Sequence, residues 1–396
     1  MQRRARYVTL ACIVSIALAA LYRKYSPVLI IEKEPTDFTV VQPEPVKLTT
    51  SLDSTTPSQS SLITSPPRIP LDSDLDLETS PGRRANATFV ILARNSDLDG
   101  ALLSVRALED RFNRRFGYPY VFLNEEEFSD HFKRRIRNLT PSRVEFGVIP
   151  KEHWYQPDWI DKDKAQKEMD SMQRNNVKYG GNLAYHNMCR FNSGFFFKHP
   201  LMQQYKWYWR VEPKVQFYCD ILKDPFIFME ENDKVYGFTL AVYEIPATIR
   251  TLWDSVRDFM AIHPQYIRNE DNAMRFISRD GGRTYNQCHF WSNFEIASLD
   301  FWRGEAYTAF FEHLDKTGGF YYERWGDAPV HSIAAALFLK KSQIHLFEEI
   351  GYQHDDWGHC PQNKELWEAG RCSCAMHGSF DYSPDSCRSK WDALGA

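Results

Sequence analysis

From Ala87 to Asn95 the chain reads ATFVILARN, an unbroken apolar and β-branched run that predicts a strand buried on both faces. The next segment, SDLDGALLSVRALEDRFNRRFG, repeats Leu103, Val105, Leu108 and Phe112 at helical spacing, and Gly117 supplies a stop. Strand then helix is the unit, and it recurs. YPYVFLNEEEF and, after a basic linker, RVEFGVIP predict two further strands, so the order is α/β with parallel neighbours and no internal repeat. Further on, YKWYWRV predicts a central strand that arrives at Glu212 and Pro213. Proline cannot continue a central ladder, which places the Glu212 carboxylate at the strand end. A helix is expected from Leu299 to Leu314, with Ser298 as N-cap and Gly318-Gly319 beyond its end, leaving Glu295 on the element just before it.

The first eighty residues follow a different pattern. After Arg3, Arg4 and Arg6, the uncharged run Tyr7 to Tyr22 is closed by Arg23 and Lys24, which is the layout of a membrane-inserting signal. As a helix it would span roughly 24 Å, close to the thinner membranes of the early secretory pathway. A Golgi or ER address follows, with residues 1–6 cytoplasmic, 7–22 a type II signal-anchor and the remainder lumenal. A cleaved signal peptide ending at Ala19 or Ala20 is the alternative. Residues 23–84 turn to Pro, Ser, Thr and acidic side chains with few aromatics, a composition that cannot offset its own ordering entropy and predicts an extended, O-glycosylated stem. Sequons at Asn86 and Asn138 fit a lumenal domain spanning 85–396.

Composition narrows the chemistry. The chain has 396 residues, 43% of them hydrophobic, enough for a sizeable core. A formal charge of -4 supplies no basic field for a phosphate backbone, which argues against nucleic acid as a partner. Neither a dinucleotide-binding nor a P-loop glycine motif is present. A nucleotide would therefore need a divalent ion on carboxylates to neutralise its phosphates. The Asp-x-Asp pattern that often does this occurs at Asp72-Asp74, in the expected stem, and at Asp97-Asp99 and Asp161-Asp163, where helix-start charge explains it better. Glu212 is the stronger metal candidate. Ligands of open α/β sheets bind beyond the carboxyl ends of the strands, so Arg94, Asn95, Asn124 and Glu125 are candidates for nucleotide contact, with helix capping as the alternative.

Three long segments then identify a resemblance. YHNMCRFNSGFFFKHPLMQQYKWYWRVEPKVQFYCD, the stretch from YNQCHFWSNFEIASLDFWRG to GGFYYERWGDAPVHSIAAALFL, and EEIGYQHDDWGHCP closely resemble the fungal Golgi α-1,2-mannosyltransferases of glycosyltransferase family 15. The resemblance runs from about Arg84 to at least Cys360. It implies a GT-A type fold with a mixed central sheet flanked by helices, GDP-mannose as donor, Mn²⁺ as cofactor and a mannose-ended glycan as acceptor. Transfer would retain the anomeric configuration during O-glycan, N-glycan or cell-wall mannan elongation.

By that resemblance Glu212 stands in the metal position, and His354 is a second ligand. Carboxylate plus imidazole suits Mn²⁺. The family pattern has prolines after this histidine, where this chain has Asp355 and Asp356. Glu295 matches the candidate nucleophile or charge stabiliser, and Tyr185 a tyrosine near the donor. Phe290, Trp291 and Trp325 could stack on sugars or simply fill the core. Seven cysteines follow the expected span, so at least one is free or intermolecular. Disulfides are the expected use of the C-terminal cluster, with zinc as the alternative. Two other function classes compete: a lectin or inactive scaffold on the same fold, and a glycoside hydrolase using Glu212 and Glu295 as its acid and nucleophile.

Overall fold

The computed structural model describes residues 82–395, all within one compact unit. The expected tail and span, and the expected stem up to residue 81, lie outside the described residues. Among the described residues no helix is long and apolar enough to cross a membrane.

The described residues form twelve strands: β1 (Ala87–Leu92), β2 (Tyr120–Asn124), β3 (Val144–Val148), β4 (Trp207–Val211), β5 (Gln216–Phe217), β6 (Tyr236–Phe238), β7 (Ala241–Tyr243), β8 (Cys288–Phe290), β9 (Phe294–Ser298), β10 (Ile344–Leu346), β11 (Tyr352–His354) and β12 (Trp357–His359). The helices of eight residues or more are α1 (Leu98–Leu108), α2 (Asp130–Arg137), α3 (Lys162–Arg174), α4 (Leu183–Gly194), α5 (Leu252–Ile262), α6 (Glu305–Lys316) and α7 (Asp327–Phe338). Seven strands form a mixed sheet in the order β10-β6-β9-β4-β1-β2-β3. Strand β9 is antiparallel to both of its neighbours, and the other pairings are parallel. Smaller antiparallel sheets join β12-β11-β5 and β7-β8.

The two faces of the large sheet carry separate cores. Alternation sends Trp207, Trp209 and Val211 of β4 and Phe294 and Ile296 of β9 to one face, where Phe89, Phe226 and the α1 side chains meet them. Each fully buried aromatic there contributes on the order of 2–3 kcal/mol. The opposite face, packed by α4 and α7, receives Tyr208 and Ala297. It also receives Arg210 and Glu295, which stand directly opposite each other in register. These two are the charged residues of β4 and β9 on that face.

Several expected boundaries shift. Leu103 is 63% exposed, and the buried stripe of α1 runs through Ala101, Val105 and Leu108 instead. After Leu108 the helix widens into a π segment, Glu109–Asn113, and stops where Gly117 takes φ 68°. The helix expected from Leu299 to Leu314 breaks at Gly304 into Leu299–Arg303 and α6. Ser298 occupies the N-cap position without a side-chain capping bond.

Candidate active site

Glu212 follows the last residue of β4, and Pro213 turns the chain away, as the sequence implies. One turn of the pleat earlier, Arg210 reaches from the same strand. Its Nε donates to Glu212 Oε1 at 2.7 Å, and its Nη1 meets Asp327, the first residue of α7. Ser292 Oγ donates to the same Asp327 oxygen at 2.6 Å. Burial by itself disfavours the charge on Arg210, but Asp327, Glu212 and Glu295 outweigh it and push its pKa far up. Asp327 shows the complement: burial would raise its carboxyl, yet Arg210, His331 and Ser292 hold it below the usual carboxylate range. The guanidinium thus pairs with two carboxylates at once, and removing one partner from such a buried set is costly.

These groups open onto a cleft of ≈ 290 Å³. Glu212, His354 and Tyr185 all line it, together with Trp291, Asp355 and Asp356. His354 closes β11, and the following Asp355 makes the turn to β12 with φ 49°. The His354 ring is steered by Asn293, whose side-chain amide lies 2.9 Å from Nδ1. Tyr185 sits in the first turn of α4, which Asn182 caps by accepting from its backbone N–H. Its ring is flanked by Tyr179, stacked at 4.4 Å, and by the Arg324 guanidinium at 5.3 Å. Burial drives the Tyr185 hydroxyl far above the ordinary phenol value, so it is a neutral hydrogen-bond donor.

Glu295 lies beneath the cleft rather than on it. It is fully buried on β9 and borders a small cavity of ≈ 10 Å³ that shares Arg210 and Glu212 with the cleft wall; one water needs about that much room. Both of its oxygens are engaged. Tyr208 Oη, which accepts from Trp302 Nε1, donates to Glu295 Oε1. His331 Nδ1 lies 2.9 Å from Glu295 Oε2, and its Nε2 lies 3.1 Å from the Asn192 carbonyl. A carbonyl only accepts, so Nε2 carries hydrogen and one proton lies between Glu295 and His331.

Arg94 and Asn95 stand elsewhere, at the carboxyl end of β1. Arg94 pairs with Glu125 at 3.1 Å, and Asn95 bridges to the Glu127 carbonyl and the Ser129 N–H, so the structure uses both to tie the β1 and β2 ends together. Neither borders the cleft around Glu212. Nearby, Asn124 is buried at the end of β2 with no hydrogen-bond partner on either side-chain atom. Of the aromatics, Phe290 and Trp325 are core and Trp291 is on the cleft wall. Asp161 caps α3, and Asp97, Asp99 and Asp163 place negative charge at helix starts. Sequence reasoning did not single out Arg210, Asp327, His331 or Arg324. Only the register of β4 against β9 and the fold of the segment before α7 bring them to the site.

The glycolipid 2-alpha-mannosyltransferase family model matches residues 44–395 of the chain. The chain belongs to this family. Glycolipid 2-alpha-mannosyltransferase 2 of Candida albicans is 51% identical over 308 residues, covering 78% of this chain and 67% of the relative. Alpha-1,2 mannosyltransferase KTR1 of Saccharomyces cerevisiae is 50% identical, covering 81% of each chain. Among solved structures, mannosyltransferase Ktr4p of S. cerevisiae in complex with GDP matches with TM-score 0.75 and 45% identity, over 79% of this chain and 82% of the other. Core-mannan synthase A of Aspergillus fumigatus, in its Mn/GDP form, matches with TM-score 0.74 and 39% identity, over 81% and 88%. The protein is thus a mannosyltransferase with a GT-A type fold, which removes the lectin and hydrolase alternatives.

The donor set of this mannosyltransferase fits a manganese ion. Glu212 has one oxygen tied to Arg210 and the other left for a ligand. As placed, the Asn293 amide nitrogen donates to His354 Nδ1; turning that amide over lets its oxygen accept from Nδ1–H and frees Nε2 for a metal, the outer-shell arrangement common at metal histidines. Among the described residues no cluster of three or more His, Cys, Asp or Glu could hold an ion, so two protein ligands would leave the rest of the shell to phosphate and water. The zinc alternative fails, because among the described residues the six cysteines other than Cys189 form disulfides: Cys219–Cys372, Cys288–Cys387 and Cys360–Cys374.

Proposed function

We propose that the protein uses Mn²⁺ and GDP-mannose to add α-1,2-linked mannose, with retention, to mannose-ended glycans in the Golgi lumen, anchored by residues 7–22. O-glycan, N-glycan and mannan elongation are the processes it would serve. The observation that carries this reading is the convergence of Glu212, His354 and Tyr185 on one cleft at the carboxyl end of β4. In an open α/β sheet that edge receives the nucleotide.

A divalent ion held by Glu212 and His354 would neutralise the donor diphosphate and ease its departure. The protein's own groups do the remaining work. Arg210 pins Glu212 in its ligating posture. Tyr185, kept neutral, donates a hydrogen bond toward the donor from the cleft wall. Glu295 supplies a buried negative charge below the site, where a positive anomeric centre would develop. For Glu295 to attack that centre directly, its bond to Tyr208 or His331 must first open. Arg94 and Asn95 are proposed to meet the nucleotide at the β1 end.

Glu212→Ala and His354→Ala test the metal reading. Each is expected to raise the Mn²⁺ requirement and weaken donor binding by ten- to a hundredfold or more, roughly the loss typical of metal-site changes; His354→Ala should keep its melting temperature, whereas Glu212→Ala, which unpairs Arg210, should melt lower but still fold. An unaltered manganese titration in both variants would remove them from the site.

A further inference from the structure

The cleft is longer than the group of residues around Glu212. In the large sheet β1 and β2 lie on one side of β4 and of its terminal Glu212, β9 and β6 lie on the other, and the β7-β8 ribbon follows β6 and leads into β9 along the chain. A nucleotide bound beyond β1 and β2 therefore delivers its sugar from one side, and the acceptor must approach from the β7-β8 side. There the cleft continues past Asp327 and is lined by Tyr179, Tyr243, Glu244, His289 and Arg324.

This outer arm has features that its own fold does not use. Arg324 pairs with Glu244 at 3.2 Å, yet its Nε is buried with no partner, in a residue only 4% exposed. His289 is also 4% exposed, and its Nδ1 is likewise unpartnered. Unpaired buried polar atoms are costly, so two of them lining one cleft point to a ligand that satisfies them. At the rim, Tyr179 is 45% exposed and holds φ 60°. Bulky side chains rarely adopt this left-handed conformation, and strain of this kind concentrates at binding sites. Its ring stacks on Tyr185, and the Lys178 ammonium lies 5.4 Å from its centroid.

We propose that this arm is a second sugar subsite, which takes the mannose preceding the acceptor residue being extended. The proposal rests on the transferase reading above, with the acceptor as a mannose-ended chain. A pyranose presents vicinal hydroxyls that both donate and accept, matching Glu244, Arg324 and His289. Its C–H face matches the exposed part of the Tyr179 ring. The subsite gives the enzyme preference for an acceptor of two or more sugars over a single mannose.

The test is calorimetry on the full-length chain, titrated first with GDP and Mn²⁺, then with methyl α-mannoside and methyl α-1,2-mannobioside, with and without the nucleotide. The disaccharide is expected to bind about tenfold more tightly, the gain of roughly one hydrogen bond to a charged group. Tyr179→Gly, which suits the backbone at this φ, and Glu244→Gln should each abolish that ratio while leaving monosaccharide and GDP affinity unchanged. Equal binding of the two sugars by the unmodified chain, or a ratio that survives both variants, overturns the proposal. A serine-linked mannose that binds more tightly than the disaccharide, and loses its advantage in the same variants, would assign the arm to the polypeptide and also overturn it. Failure of GDP to bind with Mn²⁺ bears on the donor reading alone, since the sugar titrations are read without nucleotide as well.

Discussion

At Arg210 one guanidinium meets two carboxylates, Glu212 and Asp327, with a third, Glu295, opposite it in register. Such a cluster leaves little freedom for any member, which is what a reacting sugar requires of its surroundings. Glu295 is where charge and shape can be separated. Glu295→Gln keeps the volume and partners for Tyr208 and His331 but removes the negative charge. If that charge stabilises the anomeric centre, kcat should fall by about a hundredfold or more while the KM for GDP-mannose changes little. A mannosyl adduct on Glu295, detected by mass spectrometry, would establish the covalent route. Near-normal turnover with an unchanged pH profile would leave the residue a structural role only. Glu212 was legible in sequence because proline dates the end of its strand, and Glu295, Tyr185 and His354 because they sit in long matching segments. Arg210 and Asp327 were not, because an arginine inside an aromatic strand and an aspartate at a helix start each have an ordinary local explanation.

Among the elements, the strands were read more truly than the helices. ATFVIL and WYWRV are buried on both faces and announce themselves by composition. In α1 the spacing that admitted Leu103 could not tell which of two overlapping stripes faces the sheet, and at Gly304 the lost side chain and changed backbone broke one expected helix into two. The order in which the strands assemble, with β9 reversed between β4 and β6, depends on contacts distant in sequence and had no local signal. The edge strand β10 carries a titratable consequence. His345 packs between Phe228 and Phe347, with ring centroids at 4.6 and 4.7 Å. Burial, helped by Lys234, lowers its pKa to about 4. The unfolded chain, with histidine near 6.5, then binds more protons than the folded one, so stability falls as pH drops from 6.5 toward 4. The full loss is of the order of 3 kcal/mol at most. In His345→Phe the urea midpoint should depend less steeply on pH across that window. An identical slope in both proteins would show that other buried histidines carry the acid sensitivity.

At the scale of the whole molecule, the C-terminal hundred residues wrap back onto the sheet and are fastened there by disulfides. Cys219, just after β5, joins Cys372, closing a separation of 153 residues, and Cys288 of β8 joins Cys387 across 99. The first of these bears directly on the site. Strand β11 pairs with β5 through Tyr352 and Phe217, so the ribbon that ends in His354 is hinged on the segment that Cys219 anchors. Asp220, beside that cysteine, is held by Arg111 and Arg371, which adds charge to the same joint. Chain entropy alone gives a cross-link of this loop length about 5 kcal/mol, and its loss should be felt first in the His354 wall. The double variant Cys219→Ser with Cys372→Ser is therefore expected to melt at a lower temperature and, at temperatures where it is still folded, to need more Mn²⁺ for half-maximal activity, with GDP affinity measured without metal unchanged. Cys189 provides the control for foldedness. It is the free cysteine among the described residues, it is buried, and burial pushes its thiol far up, so a thiol reagent should leave it unlabelled until the protein unfolds. Loss of stability with an unshifted manganese titration would confine the disulfide to holding the fold and separate it from the metal site.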